Sequence, residues 1–510
     1  VKKEPDMSDL VRIELRPYGR SIDIERGTPL RDVLYVYGVE FPCGGRGRCK
    51  RCRVQVLDGD LSVTPEEEAI LDTEEREQGW RLACRSSAEG PMALQVEQFQ
   101  APILTDHSVF DFEPRSGYGV AVDLGTTTVV AQLVDLASGC VLACHTALNP
   151  QTAYGSDVMN RTQFALEEAG RKKLATLVRQ GIGALVGRVI ATAEIDDASV
   201  DTVVLVGNTV MHHLFCDLDV EPLARVPFES DADGLQELSA AELGWEVTGD
   251  PVVRFLPCLG GFVGSDLLAG VLATRMHESD ALTVLVDLGT NGEIVVGNAE
   301  RMLCASAAAG PAFEAGGIRM GMQATTGAID QVTVASGGLR CRVVGDVAPR
   351  GICGSGLVDA IAAGLDLGWV EPSGRLAGDR DGFDLEGPVR LGQGDIRQLQ
   401  LAKGAIAAGI RILLNRWGAK PGDVPRVHLA GAFGNYVNRT SARRIGLIDF
   451  PDHDVESVGN TALLGAKLAL FEKDREACTF RDVLRRIEHL SLAADPSFQE
   501  IFVQQTRFPA

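Results

Sequence analysis

GVAVDLGTTTVVAQLVD (119–135) is an apolar stretch, an Asp-Leu-Gly-Thr turn and a second apolar stretch. Runs of β-branched residues on either side of a glycine turn read as two strands of a hairpin. Asp123 arrives at the end of the first strand, Gly125 allows a tight turn with exposed amides, and Thr126, Thr127 and Thr128 add hydroxyls. Amides and hydroxyls of this kind hold phosphate oxygens, and the Asp binds Mg²⁺ directly or through water. One such turn is weak support, because Asp-Gly turns are common in ordinary hairpins. The pattern returns as TVLVDLGTNGEIVVG (283–297), with Asp287, Gly289, Thr290 and Asn291 in the corresponding places. A second copy so far along the chain implies two similar lobes facing one another. From Tyr118 onward, apolar strands alternate with helical stretches, which is the α/β pattern. No convincing Walker A loop or G-x-G-x-x-G turn is present.

The N-terminal part carries a different chemistry. FPCGGRGRCKRCRV (41–54) and RLACRS (81–86) place Cys43, Cys49, Cys52 and Cys84 in a C-x5-C-x2-C-x31-C spacing. Four thiolates are the ligand count of a [2Fe–2S] cluster. Gly44, Gly45 and Gly47 free the loop amides to wrap an anionic group. A structural zinc site would want two C-x2-C knuckles, and only Cys49/Cys52 forms one. A disulfide framework belongs to small secreted domains. The flanks read as a hairpin (LVRIELRP and RSIDIE), a Thr-capped helix ending at Gly38 (TPLRDVLYVYG), a strand (CRVQVLDG) and a capped helix (TPEEEAILD). Arg46, Arg48, Lys50, Arg51 and Arg53 form a basic collar on this loop. It reads as a surface that steers an acidic partner or reductase, or as an ordinary solvated face.

Length and composition narrow the classes. The 510 residues suffice for several domains, and the net charge of −21 argues against nucleic acid as a partner. No apolar run reaches the length of a membrane span, and the charged start VKKEPDMSDL is no signal peptide, with Met7 the expected first residue. Twelve cysteines without an export signal suit a reducing cytoplasm. The eight outside the cluster motif show no C-x-x-C pairing and read as buried small hydrophobes. His212–His213 on an apolar flank reads as packing.

Two resemblances join these halves. Residues 10–98 resemble a plant- or adrenodoxin-type ferredoxin, with the five-residue first gap nearer the adrenodoxin branch. The remainder resembles the acetate and sugar kinase, heat-shock chaperone and actin superfamily. Asp123–Thr128 stands at its first phosphate motif and Asp287–Asn291 at its second. VHLAGAFGNYV (427–437) stands at its adenosine motif, where Gly431, Gly434 and Asn435 would line the adenosine pocket. GNTALLGAKLAL (459–470) and LVGNTVMHHLF (205–215) resemble its two connecting segments. GICGSGLVDAI (351–361) puts Gly354 and Ser355 either near the nucleotide or in close helix–strand packing. The implied fold is multidomain: an α+β β-grasp ferredoxin (8–98), a linker (99–117) and an α/β two-lobed actin-like ATPase of ribonuclease H-like repeats. Its lobes would be 118–280 and 281–510.

Together the halves resemble the reductive activators of corrinoid proteins, the activating enzymes of corrinoid-dependent O-demethylase and methyltransferase systems. LNPQTAYGSDVMNR (148–161), PCLGGFVGSDLLAG (257–270) and ASAAAGPAFEAGGI (305–318) also look family-like. Only a short linker separates the ferredoxin from Asp123, which leaves no room for an extra middle domain. The resemblance implies one-electron reduction of Co(II) to Co(I) in a corrinoid methyl carrier, driven by ATP. It implies a [2Fe–2S] cluster on Cys43, Cys49, Cys52 and Cys84, with Mg²⁺ and the attacking water positioned by Asp123 and Asp287. Phosphates would be held at Gly125, Thr126, Thr127, Thr128, Gly289, Thr290 and Asn291. Glu293 and Glu314 are candidates for positioning water, or are solvated or ion-paired carboxylates. An upstream reductant and a homodimer are also suggested. No D-x-H-x-x-G corrinoid-binding motif occurs, so the chain would act on a carrier and not be one. Other readings are an ATP-gated donor to a dehydratase-type enzyme, a small-molecule kinase with a redox-sensing ferredoxin, and a nucleotide-controlled binding module.

Overall fold

The computed structural model describes residues 10–16, 20–34, 39, 47, 50, 52–96, 112–195, 200–247, 249–289, 291–335, 338–472 and 479–510. The N-terminal sheet has five strands, β1 (Leu10–Arg16), β2 (Arg20–Glu25), β3 (Arg53–Asp58), β4 (Trp80–Leu82) and β5 (Met92–Gln95), in the order β2-β1-β5-β3-β4. Alternation in LVRIELR buries Val11, Ile13 and Leu15 on one face. β1 and β2 form the expected antiparallel hairpin, while β1 and β5 run parallel. The Pro65–Ile70 helix opens on a Thr64/Glu67 capping box, and Thr73–Glu77 on an Asp72/Glu75 box. Buried Glu67 also accepts from the Leu82 amide at 2.5 Å, tying the first of these helices to β4. The helix expected from TPLRDVLYVYG covers Arg31–Leu34, and 35–38 lie outside the described residues.

The two Asp-Leu-Gly-Thr stretches form matching hairpins in two six-stranded sheets. In the first lobe these are β6 (Tyr118–Leu124) and β7 (Thr128–Asp135), followed by β8 (Val141–Leu148), β9 (Val200–Gly207), β10 (Gln236–Ser239) and β11 (Val252–Phe255). The order is β10-β11-β9-β6-β7-β8. In the second lobe the hairpin is β12 (Thr283–Leu288) and β13 (Gly292–Gly297), followed by β14 (Met302–Ala307). A small sheet holds β15 (Ala328–Ala335), β16 (Gly338–Val343) and β17 (Gly351–Ile352), and a ribbon holds β18 (Gly382–Asp384) and β19 (Arg390–Gly392). β20 (Arg426–Ala430), β21 (Val455–Gly459) and β22 (Ile487–His489) then complete the order β21-β20-β12-β13-β14-β22. β11, β9 and β6 run parallel as β21, β20 and β12 do, and β7–β8 follow antiparallel as β13–β14 do, so both lobes share one five-strand plan.

Two apolar helices, Ser265–Ala273 and Thr461–Leu470, pack together between the sheets in a core with Ala121, Val206, Leu285 and Val295. Gly465 permits the contact, since a Cβ there would lie 2.2 Å from the Ala269 carbonyl oxygen. This corrects the expectation that 205–215 supplies the second connecting segment. The Thr209–Cys216 helix packs inside the first lobe, against Glu168–Ala193 and β9. His212 and His213 are fully buried there; His213 Nε2 meets Ser230 Oγ at 2.9 Å, and burial pushes His212 down to about 3.

The Glu168–Ala193 helix corrects another expectation, because by length and composition it could cross a membrane. Its Leu174, Val178, Ile182, Leu185 and Val189 are buried, and it packs on β7 and β8 as a core helix. The remaining cysteines divide as well. Cys258, Cys304 and Cys353 are buried as expected, Cys140 is exposed, and Cys478 lies outside the described residues.

Candidate active site

β6 and β12 carry Asp123 and Asp287 to one cleft of about 340 Å³ between the lobes. Register gives the second hairpin an extra acid. Asp123 faces Val130 across its hairpin, whereas Asp287 faces Glu293. Asp266, at the start of the Ser265–Ala273 helix, is a fourth carboxylate on the cleft and was not foreseen. Burial pushes Asp123 up to about 6. Burial and the charge of Asp123 push Asp287 to about 7. Burial and then Asp287 push Asp266 to about 8, and Glu293 rises well above the usual range for the same kind of reason. The three aspartates keep a face open to the cleft, while Glu293 is buried. A divalent cation among them would reverse the direction. Among the described residues no three His, Cys, Asp or Glu side chains converge as a direct ligand set. The carboxylates therefore fit Mg²⁺ held largely through water and phosphate oxygens.

Two asparagines bridge the lobes at these acids. Asn208 caps the Thr209–Cys216 helix through its oxygen and donates Nδ2 to Glu293 Oε1 at 3.1 Å. Asn460 caps the Thr461–Leu470 helix and donates Nδ2 to Asp123 Oδ2 at 2.9 Å. Each acid thus receives a hydrogen bond from the opposite lobe. A readable signal existed for both, the repeated Val-Gly-Asn-Thr at 206–209 and 458–461.

The first phosphate loop is braced from behind. Asn149 donates Nδ2 to the Gly125 carbonyl at 2.9 Å and its amide to the Thr127 carbonyl at 2.8 Å. Arg161, fully buried, donates Nη2 to the Thr126 carbonyl at 2.5 Å. In a trans peptide the next N–H points opposite to the anchored carbonyl, so this bracing turns loop amides toward the cleft. Gly125, Thr126, Thr127, Thr128, Gly289 and Asn291 all line it, and Thr290 lies outside the described residues.

The other end of the cleft is apolar, with Phe313 and Phe433 ring centroids 4.7 Å apart and Met322 and Tyr436 beside them. Gly431 has φ +80°, and a Cβ there would meet Asp287 Oδ1 at 2.4 Å. Gly434 and Asn435 do not line this cleft. Gly434 is an ordinary residue of the Gly431–Tyr436 helix, and Asn435 borders a separate groove with Asn438, Arg439 and Ser457. Gly354 and Ser355 serve both roles weighed for them. They line the cleft, and Gly354 packs so tightly that a Cβ would overlap the Phe313 carbonyl. Glu314 also lines the cleft and acts electrostatically on Arg161.

In the N-terminal domain, Cys52 and Cys84 are both buried. The Ala83 amide donates to the Cys52 carbonyl at 3.0 Å and closes β3 on β4, which brings the two residues to one end of the strand pair. Gly47, at φ +65°, sits where a Cβ would meet Glu66 and Arg85 within 3.3 Å, a close loop approach suited to a cluster cradle. These residues fit the group; Cys43 and Cys49 lie outside the described residues. The collar is only partly placed. Lys50 and Arg53 are tied to Glu75 at 2.6 and 3.3 Å, and Arg46, Arg48 and Arg51 lie outside the described residues.

Comparison with known proteins agrees with this geometry. Residues 13–89 match the 2Fe-2S iron-sulfur cluster binding domain, 118–279 the RACo middle region, and 281–510 the C-terminal domain of RACo, the ASKHA domain. The middle region of that family is therefore the first lobe itself, not an insertion missing from this chain. The corrinoid activation enzyme RamQ of Eubacterium limosum is 32% identical over 96% of this chain and 97% of its own length. A [Co(II) methylated amine-specific corrinoid protein] reductase of Methanosarcina barkeri is 26% identical over 76% of each. The solved structure of a reductive activator for corrinoid, iron-sulfur protein superposes with a TM-score of 0.67 at 27% identity, covering 98% of both chains. With a four-cysteine ferredoxin joined to a two-lobed, acid-lined cleft, the chain belongs to the family of reductive activators of corrinoid proteins.

Proposed function

We propose that this protein uses ATP to reduce the Co(II) form of a corrinoid protein to Co(I). The observation that carries the reading is the pairing, in one chain, of the ferredoxin domain with two Asp-Leu-Gly turns across one cleft. The [2Fe–2S] group supplies one electron near roughly −400 mV, and Mg-ATP supplies the free energy of hydrolysis. Reduction of Co(II) at a lower potential is uphill, and each ~59 mV costs about tenfold in equilibrium. An energy source in the same chain answers that need.

Within the protein, Cys43, Cys49, Cys52 and Cys84 would hold the cluster. Asp123 and Asp287 would orient the hydrated cation, and Glu293, Asp266 and Glu314 are the acids available to position water. The amides and hydroxyls of Gly125–Thr128 and 289–291 would receive the phosphates. Phe433 and Phe313 would exclude water around the base, and Gly431 would let the backbone approach it. The Asn208 and Asn460 bonds tie the acids to lobe position, so closure on nucleotide would be felt at both. The partner is a corrinoid protein whose cobalt is the substrate. An upstream reductant, a homodimer and a cytoplasmic setting complete the reading; the last is supported by unbridged cysteines such as Cys140, Cys144 and Cys353.

The test is anaerobic visible spectroscopy of a Co(II) corrinoid protein mixed with this protein, its cluster reduced beforehand, with and without Mg-ATP. A Co(I) band that needs ATP supports the reading. No Co(I) with several carriers, while the cluster stays reduced and ATP is hydrolysed, would point to a donor for another low-potential enzyme.

A further inference from the structure

The segment that braces the first phosphate loop also seats the ferredoxin. Its short 3₁₀ turn, Pro150–Tyr154, packs against the ferredoxin helix Arg31–Leu34. Tyr154 donates its hydroxyl to Asp32 Oδ1 at 3.0 Å, and the Arg31 guanidinium lies 4.3 Å from the Tyr154 ring centroid. Lys173 Nζ is 3.8 Å from Asp32 Oδ2. On its inner side the Tyr154 ring packs on Phe164 at 4.8 Å, and only 3% of the residue is exposed.

The same segment holds the loop at three consecutive carbonyls. Asn149, which caps the turn, bonds those of Gly125 and Thr127, and Arg161 bonds that of Thr126. Arg161 is also bonded to the segment itself, through Nε to the Gly155 carbonyl at 2.8 Å. A buried guanidinium is costly unless fully engaged, and Asp157 and Glu314 are the acids that act on it. The turn is thus fixed at one end to the loop that faces nucleotide and at the other to the domain that carries Cys52 and Cys84. A shift of the loop carbonyls on phosphate binding must be taken up by Asn149 and Arg161, and Tyr154 lies between them in sequence.

We propose that residues 149–161 form a relay in which Tyr154, bonded to Asp32, couples phosphate occupancy of the Gly125–Thr128 loop to the seating of the ferredoxin. Tyr154 is a positioning residue here. The inference rests on the reading of that loop as a phosphate site. By linkage the effect runs both ways, so loosening the ferredoxin contact also alters the response to ATP.

The test is hydrogen exchange on the full chain with its cluster intact, with and without Mg-ATP at a concentration shown by calorimetry to saturate. The reporters are the Val33 and Leu34 amides, which bond to the Leu30 carbonyl at 3.2 and 2.8 Å. In the native protein, Mg-ATP is expected to change their exchange roughly five- to tenfold, the weight of one net hydrogen bond. Tyr154→Phe should bring that ratio close to one while ATP still binds. Asp32→Ala, which removes the acceptor on the ferredoxin side, gives the same result should the first variant fail to fold, with the cluster spectrum reporting domain integrity. ATP bound without a change at these amides in the native protein overturns the relay and leaves the phosphate site standing. An unchanged ATP effect in both variants overturns it too, since a purely structural contact would raise exchange equally with and without ATP. No ATP binding at all removes the phosphate site and the relay together.

Discussion

Two glycines of one motif should respond oppositely to the same change. Gly431 sits at φ +80°, where alanine is strained by about 1 kcal/mol. Its added Cβ would lie 2.4 Å from Asp287 Oδ1, against 3.4 Å for ordinary contact, so the carboxylate must retreat by the difference of 1.0 Å. A misplacement of about 1 Å in a catalytic constellation can cost 10²-fold. Gly431→Ala is therefore expected to lower ATP turnover about a hundredfold and weaken Mg-ATP binding about tenfold or more. Gly434 has helical backbone and nothing nearer than 3.4 Å to a built Cβ. Alanine there gains helix propensity, about 0.5–1 kcal/mol, and should leave binding within about twofold. Calorimetric titration with Mg-ATP and phosphate release on the two variants give the comparison. Equal damage by both, or native binding by Gly431→Ala, would refute the placement of the cleft against Asp287.

Asn460→Ala removes the bond to Asp123, so the pH midpoint for Mg-ATP binding should rise by up to about one unit, read from binding isotherms between pH 5.5 and 8. The carboxylates of the nucleotide-free protein titrate above their ordinary 3.8, Asp123 near 6 and Asp287 near 7. With Asp266 near 8 and Glu293 raised as well, the folded state binds more protons than the unfolded state from about pH 4 to at least about 8. Its resistance to urea should therefore fall as pH rises through that window, while Mg-ATP affinity rises. Parallel trends would contradict the site. Cys84→Ala should abolish the iron–sulfur spectrum and leave Mg-ATP binding intact; loss of both would contradict separate folding of the domains. Asp123→Asn should do the reverse, sparing the visible spectrum and stopping phosphate release.

Much of this was legible because the chemistry is local. An Asp-Leu-Gly-Thr turn between apolar runs fixes a hairpin whatever surrounds it, and its second copy announced the second lobe. The C-x5-C-x2-C spacing announced the ferredoxin in the same way. What stayed hidden depends on packing between distant segments. Asp266 opens a helix in a glycine-rich stretch and becomes a site acid only because that helix lies between the two sheets. Gly434 looked equivalent to Gly431 in sequence, yet backbone angle separates them. Arg161 carries no signal of its own in the stretch 148–161, and only the fold buries it under Thr126. Asn208 and Asn460 were within reach, since Val-Gly-Asn-Thr occurs twice, but their partners are carboxylates on the opposite lobe. Tyr154 and Asp32 meet only through the docking of two domains, which no local pattern encodes.

The central claim is electron delivery to cobalt gated by nucleotide at the cleft. Anaerobic electron paramagnetic resonance tests it most directly, because the reduced cluster and Co(II) are both paramagnetic and lose their signals together when one electron passes. Mixing the reduced protein with a Co(II) corrinoid protein and Mg-ATP should remove both signals one for one. The loss should be absent without ATP and absent in Asp123→Asn. Loss of both signals without ATP, or ATP hydrolysis with both signals intact, would contradict the account.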